Sequence, residues 1–464
     1  MCPGWWDRGE SRGHKWSPWR RGPGPWDGRI RHTRKVGSST KEILLATSSG
    51  PQAEPTRVLG TVDAAAIGAA AMLGAGVFSV FAPAALGAGA WLPVAIVIAG
   101  AVAYCNAISS ARLAARHPED GGTYVYGRER LGELWGYLAG WAFVVGKVAS
   151  CAAMALTLAT YVLPGWERPV AVATVVALAA VNYRGLKRST LVIKVLLVMV
   201  LAVLAAVFVA MVLSGRLAAV VEVDGMGPWP GSFGVLGAAG MIFFAFAGYA
   251  RIATLGGRVR EPRTTIPRAI GLALGGVLVL YLAIGTGLLI VLGRERLTTS
   301  EAPLVDAVRV AGFPTLVPFV VAGAVLACAG ALMSLLLGVS RTVAAMALDG
   351  HLPRYLGRAH RRFGVPHRAE VVVAAAVIAL VLVGDLSGVI AFSAFGVLVY
   401  YAIANASALR LGPDEDRPPL LAPVGGLVGC VVLATSLPLA VVVLGVVVLG
   451  AGAGLWWLRH RVLG

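Results

Sequence analysis

The sequence predicts an all-α integral membrane protein of about twelve spanning helices. Three observations predict it: too little charge for a water-soluble surface, apolar runs of spanning length, and basic residues gathered on alternate loops. Hydrophobic residues make up 58% of the 464, charged residues only 14%, and the mean hydropathy is +0.78. A soluble chain keeps about a quarter of its residues charged, so lipid must cover most of this surface. The net charge of +17 would suit a nucleic-acid partner. It sits in short loops, however, where it sets topology rather than forming a binding face, and no nucleic acid is expected. Cys2, Cys105, Cys151, Cys328 and Cys430 are scattered, four of them in apolar runs. They read as small buried hydrophobes, with no disulfide framework, metal site or cofactor expected.

Residues 1–57 stand apart, with 11 Lys/Arg, 5 Asp/Glu and five tryptophans (Trp5, Trp6, Trp16, Trp19, Trp26) among many Gly, Pro and Ser. No apolar core of signal-peptide type is present. The stretch is predicted to be a disordered basic cytoplasmic tail, either dispensable or touching anionic lipid headgroups. A ten-span core follows over 58–410, and 411–464 holds two further spans and a short C-terminus. The spans fall at about 59–86, 90–116, 131–163, 169–183, 189–213, 232–255, 266–292, 314–346, 368–384, 386–410, 420–436 and 439–458. Crossing a hydrocarbon core takes about 20 residues of helix; 169–183 and 368–384 are short for it.

With the N-terminus inside, the inner loops and tails hold 33 of the 40 Lys/Arg. The outer loops hold five: Arg168, Arg216, Arg294, Arg296 and Arg309. This positive-inside split predicts an even number of spans, with both termini cytoplasmic in a plasma-membrane protein. The remaining two, Lys147 and Lys194, lie within apolar runs.

Two spans contain points where a helix would break. Gly74-Ala75-Gly76 lies in the middle of the first, where unwound backbone is tolerated only if it lines an enclosed cavity. The N–H groups freed there, at the positive end of the outer half-helix, would suit a carboxylate. The alternative is a close-packing small-residue face. In the sixth span Phe243, Phe244 and Phe246 precede Gly248. Freed carbonyls around Phe244–Ala247 would attract an amino group, with the rings capping the pocket, unless the aromatic cluster simply faces lipid. Paired discontinuous helices at the start of two successive five-span blocks are the signature of inverted-repeat secondary transporters.

The chain resembles the amino acid–polyamine–organocation (APC) permease superfamily over about Val62–Arg410. The resemblance is carried by GAGVF (74–78), HPEDGGTYVYGRERLG (117–132), GWAFVVGK (140–147), NYRGLKRS (182–189), FFAFAGYARIATL (243–255), REPRTTIPRAI (260–270), SRTVAAMALDGHLPRYL (340–356) and RRFGVPHRAE (361–370). It implies a 5+5 inverted-repeat, leucine-transporter-like core plus two C-terminal helices. It further implies transport of an amino acid or organic amine by alternating access, coupled to protons or exchange. Carried over by position, the substrate carboxylate would meet Gly74, Ala75 and Gly76, and the ammonium Phe244, Ala245 and Ala247, ahead of Gly248. Phe244 falls at the position of an aromatic gate. Three positions depart from the pattern. Ala250 stands where amine-specific members carry Glu, Arg112 where Glu is frequent in the second helix, and Gly257-Arg258 where acids are common. The first argues against a dedicated cationic substrate.

A lysine deep in the membrane is costly and marks function by default. Lys147, far from either end of the third span, would release and rebind a proton once desolvated, bond neighbouring carbonyls, or meet the substrate. Lys194 lies a turn and a half into the fifth span, six residues short of Val200, where the resemblance implies a lysine in place of a sodium ion. Six residues are about 9 Å of helix, so snorkelling to the inner interface is expected of it. Asn106, Ser109 and Ser110, with Ser334 and Ser340, either line the pathway or bond across helices. All seven histidines lie in tails or loops and almost no carboxylate lies in the spans, which excludes an intramembrane enzyme. The expected function is a proton-coupled permease for a neutral amino acid, its partners being that substrate, protons and the bilayer. The alternatives are an exchanger without net proton coupling and a non-transporting membrane sensor.

Overall fold

The computed structural model describes residues 59–463, except 118–120, 186–189, 217–228, 254–258 and 361–362. The tail 1–57 and the pair Gly257-Arg258 lie outside the described residues.

Uninterrupted apolar runs become helices because in lipid each backbone polar group must be met within its own segment. The first span is three pieces, α1 (Thr61–Met72), α2 (Gly76–Ser79) and α3 (Phe81–Ala88), followed by α4 (Leu92–Arg116). Next come α5 (Thr123–Leu131), α6 (Glu133–Val162), α7 (Glu167–Tyr183) and α8 (Thr190–Leu213). The sixth span is α9 (Ser232–Phe246), a 3₁₀ turn at Ala247–Tyr249, and α10 (Ala250–Ala253). The chain continues through α11 (Pro262–Thr299), α12 (Pro303–Val310), α13 (Val317–Leu348), α14 (His367–Val383), α15 (Leu386–Leu409), α16 (Leu421–Thr435) and α17 (Leu439–Leu463).

Nine helical stretches among the described residues are long and apolar enough to cross a membrane. The predicted spans 169–183, 368–384 and 420–436 are the helices α7, α14 and α16, of 17, 17 and 15 residues. Two predicted loops are partly helical. Residues 112–130 contain most of α5, which buries Tyr124, Val125 and Tyr126, and the connection after the seventh span contains α12. Gly132 separates α5 from α6 at φ +108°, and Gly293 interrupts α11 at φ +72°; both are left-handed values that glycine adopts without a Cβ penalty. Asp385 caps α15 by accepting the Gly388 N–H at 2.9 Å, as short polar side chains do for the first orphan donors of a helix.

The broken first span packs with α4, α9 and α11, while α6, α7, α13 and α14 pack on one another and α15 lies along α6. The largest fully buried side chains include Tyr124, Tyr137, Tyr249, Tyr281 and Tyr401. Of the membrane cysteines, Cys151, Cys328 and Cys430 are buried free thiols, but Cys105 is only half-buried.

Candidate functional site

Between α1 and α2 the backbone leaves the helix. Leu73 N–H closes the last bond of α1, to Ala69 O at 2.8 Å, and Phe78 and Ser79 N–H resume the ladder on Ala75 O at 3.0 and 3.1 Å. The N–H groups of Gly74, Ala75, Gly76 and Val77 have no acceptor among the described residues, and all four residues are buried. Buried backbone donors are nearly always paired. Four in succession leave a run of unmet positive partial charge at the break.

The sixth span departs from expectation in kind. Among its described residues none unwinds; the α-helix tightens into a 3₁₀ turn over Ala247–Tyr249, slightly past the predicted break. Its carbonyls are less free than predicted, because Phe243 O and Phe244 O receive the Ala247 N–H. Ala245 O lies 3.2 Å from the Tyr281 hydroxyl and Ala247 O 3.5 Å from that of Tyr401. A carbonyl has two lone pairs, so each can still accept a second donor. The aromatic cluster does not face lipid. Phe243 packs edge-on to Tyr401 and Phe246 leans on Tyr281, both fully buried. Phe244, at 7% exposure, points from a different helical face.

The two breaks touch directly. A Cβ on Gly76 would stand 2.4 Å from Ala245 Cβ, and one on Gly248 would stand 2.4 Å from Ala71 C and O. A Cβ on Gly74 would meet Ala331 at 2.9 Å and Met154 at 3.6 Å, on α13 and α6. The structure therefore brings Gly74, Ala75, Gly76, Ala245, Ala247 and Gly248 into one region, all of them buried except the half-buried Gly248. The tyrosines around it were not anticipated from sequence. Tyr161 donates to Phe78 O at 2.9 Å and Tyr281 to Met72 O at 2.8 Å. The available signal was that a buried phenol needs a hydrogen-bond partner.

Lys147 is buried, at 8% exposure, with no ion pair or hydrogen bond among the described residues. Cys151 and Met154 follow it at i+4 and i+7, so the three share a helical face. Met154 reaches the Gly74 break, which puts Lys147 about 10 Å along α6 from that level. Lys194 does not simply snorkel: it pairs with Asp63 in the first turn of α1. Asn106 bonds across helices, accepting from Asn405 Nδ2 at 2.6 Å and contacting Cys430 Sγ at 3.2 Å. Ser334 instead bonds its own helix, to Gly330 O, while the Ser340 hydroxyl bonds Leu336 O and also interacts across helices with the Glu370 carboxylate of α14. The hydroxyls of Ser109 and Ser110 are buried with no partner among the described residues. A carboxylate missed in the sequence, Glu370 in the first turn of α14, is buried and accepts from Asn182 Nδ2 at 3.1 Å.

At the arginine-rich end, the connection between α15 and α16 supplies acids to three arginines. Arg130 grips Glu415 with two bonds of 2.7 Å, Arg116 reaches it at 3.0 Å, and Arg112 meets Asp416 at 2.6 Å. Arg112 thus finds its acid on another element, which answers the departure at that position. The Arg130 guanidinium, followed by the Gly412 N–H, holds the Glu415 carboxyl down at about 2, against about 4.3 in an unfolded chain. A depressed native value contributes stability that is complete above the unfolded value and is lost as pH falls through the native one. Thermal-unfolding midpoints measured from pH 6 to 2 should therefore fall in the wild type between about pH 4.3 and 2. Glu415→Gln should lack that part of the acid dependence; an identical acid profile would refute the pairing.

The amino acid permease family matches residues 59–459. An uncharacterised transporter of Mycobacterium tuberculosis is 57% identical over 407 residues, covering 88% of this chain and 92% of its own length. A branched-chain amino acid permease of Bacillus subtilis is 24% identical over 414 residues, 82% of this chain and 86% of its own. A human cationic amino acid transporter is 26% identical over 388 residues, 78% of this chain and 61% of its own. A match spanning nearly every described helix, with a transporter as a majority-identical relative, has one reading: the chain belongs to the amino acid permease family, within the APC superfamily, and is a multi-pass membrane transporter.

Proposed function

We propose that the protein is a secondary active transporter that moves a small neutral amino acid across the cell membrane by alternating access, coupled to protons. Twelve spans with both termini cytoplasmic, arranged as a 5+5 inverted repeat plus two helices, complete this reading. The observation that carries it is the run of four buried N–H groups at Gly74–Val77 that have no acceptor among the described residues and lie against the 3₁₀ turn of the sixth span. A carboxylate satisfies such donors, and half-helix termini at the midplane of inverted-repeat transporters face anionic substrate groups. The ammonium would take the second lone pair of the carbonyls at Ala245 and Ala247, with Phe244 closing over it.

Neutral substrates are favoured because neither broken span carries an acid beside the breaks. No Asp or Glu occurs in 64–88 or 232–253, and position 250 is Ala. A second positive charge on the substrate would therefore find no carboxylate on either broken span, and desolvating an unpaired charge costs several kcal/mol. The name of the Bacillus permease agrees with this, whereas the human relative named for cationic substrates argues the other way. Lys147 is the coupling group in this reading, since it is buried and has no partner among the described residues.

Uptake of a panel of labelled amino acids into proteoliposomes, with and without an inward proton gradient, tests the proposal. Branched-chain and small neutral amino acids should accumulate with the gradient, and arginine and lysine should not. Failure of every amino acid would overturn the reading. Gradient-independent exchange would replace symport with antiport.

A further inference from the structure

Tyr281 lies on α11, belongs to neither broken span, and is completely buried. Its ring stands edge-on to Phe81 at 6.1 Å and leans on Phe246 at 5.0 Å, so it packs against one residue from each broken span. Its hydroxyl lies 2.8 Å from Met72 O and 3.2 Å from Ala245 O. Met72 O is the last carbonyl of α1, and its ladder partner would be the Gly76 N–H, which the unwinding removes. Ala245 O belongs to the last turn of α9, where the α ladder gives way to the 3₁₀ turn. One phenol therefore serves the interrupted backbone of both spans.

A phenol carries a single hydrogen and cannot donate it fully to two acceptors at once. We propose that Tyr281 is the positioning residue that holds the two breaks at the spacing the substrate requires, and that substrate binding redistributes its hydrogen bond. With the site empty, the hydrogen is shared between Met72 O and Ala245 O. When the substrate ammonium donates to Ala245 O, the hydroxyl donates to Met72 O alone, so occupancy at the sixth span is felt at the first. The inference rests on the site proposed above, but the brace itself does not require a substrate to be known.

Other tyrosines at the site bond one broken span each: Tyr161 bonds Phe78 O of the first, and Tyr401 lies at 3.5 Å from Ala247 O of the sixth. Tyr161→Phe is therefore the matched control, removing one buried hydroxyl from one break. Tyr281→Phe keeps the ring between Phe81 and Phe246 and removes only the shared donor. Backbone hydrogen exchange in the detergent-solubilised full chain, without substrate, should quicken in Tyr281→Phe at both breaks, near 70–78 and near 243–250. In Tyr161→Phe, which also frees the Leu304 backbone N–H, it should quicken near 70–78 and near 304 but not near 243–250. Where transport is measurable, Tyr281→Phe should raise KM about five- to tenfold, the loss of one buried hydrogen bond. Vmax per folded protein should stay within about twofold, and Tyr161→Phe should raise KM less. Exchange unchanged at either break in Tyr281→Phe, or KM effects equal in the two variants, would overturn the proposal. If the wild type takes up no amino acid, the transport reading fails and the exchange comparison still decides the role of Tyr281.

Discussion

Gly248→Ala is expected to cut uptake at least tenfold while the protein still reaches the membrane and elutes as a folded species. The added Cβ would stand 2.4 Å from Ala71 C and O and 2.5 Å from Met72 N. Carbon contacts settle near 3.5 Å or more, and all three neighbours are backbone atoms at the end of α1. No rotamer change can relieve the overlap, so α1 and the 3₁₀ turn must move apart by about an ångström. Overpacking of this kind costs about 1–3 kcal/mol. Here it falls on the spacing of the groups proposed to grip the two ends of one amino acid. Gly76→Ala should behave alike, against Ala245 Cβ at 2.4 Å and Cα at 2.7 Å. Gly275→Ala is the control, because a Cβ there meets nothing within 4 Å, and it should leave uptake unchanged. Wild-type uptake in Gly248→Ala would mean that the two breaks need not touch.

Lys147→Ala is expected to abolish gradient-driven accumulation while leaving binding measurable. An inward gradient of one pH unit is worth about 1.4 kcal/mol per coupled proton, at most about tenfold accumulation. If Lys147 carries the proton, the variant should equilibrate substrate to a ratio near one and still perform exchange. Lys147→Met, which keeps the stem's volume, separates loss of the amine from the cavity that alanine would leave. Unchanged accumulation in both variants would refute the coupling role. The structure sharpens this prediction, because among the described residues no partner explains the lysine as a structural donor.

Much of the helix plan was legible because apolar length and bounding charge are local properties. The run predicted at 386–410 is the helix Leu386–Leu409, and that predicted at 131–163 is Glu133–Val162. The glycines of the first break were legible for the same reason, since Gly74-Ala75-Gly76 weakens a helix wherever it packs. The sixth span was harder. Phe243, Phe244 and Phe246 read alike as side chains, and packing alone assigns two to ring contacts and leaves the third on another face. Partners distant in sequence were not legible at all. Asp63 meets Lys194, Arg112 meets Asp416, and Asn182 meets Glu370 across 131, 304 and 188 residues.

By itself, then, the sequence determined that this chain lives in lipid, roughly where its helices run, which loops carry the positive charge, and which family it resembles. Those conclusions rest on composition, apolar period and glycine placement, which are read along the chain. Only the tertiary structure decided that the two interrupted spans touch through Gly76 and Gly248, and that Tyr281 serves both. It also decided that Lys147 is buried with no partner among the described residues. Each of these depends on which faces of separate helices meet. Apolar membrane helices tolerate many facing partners, and their choice is made by close packing and a few buried hydrogen bonds.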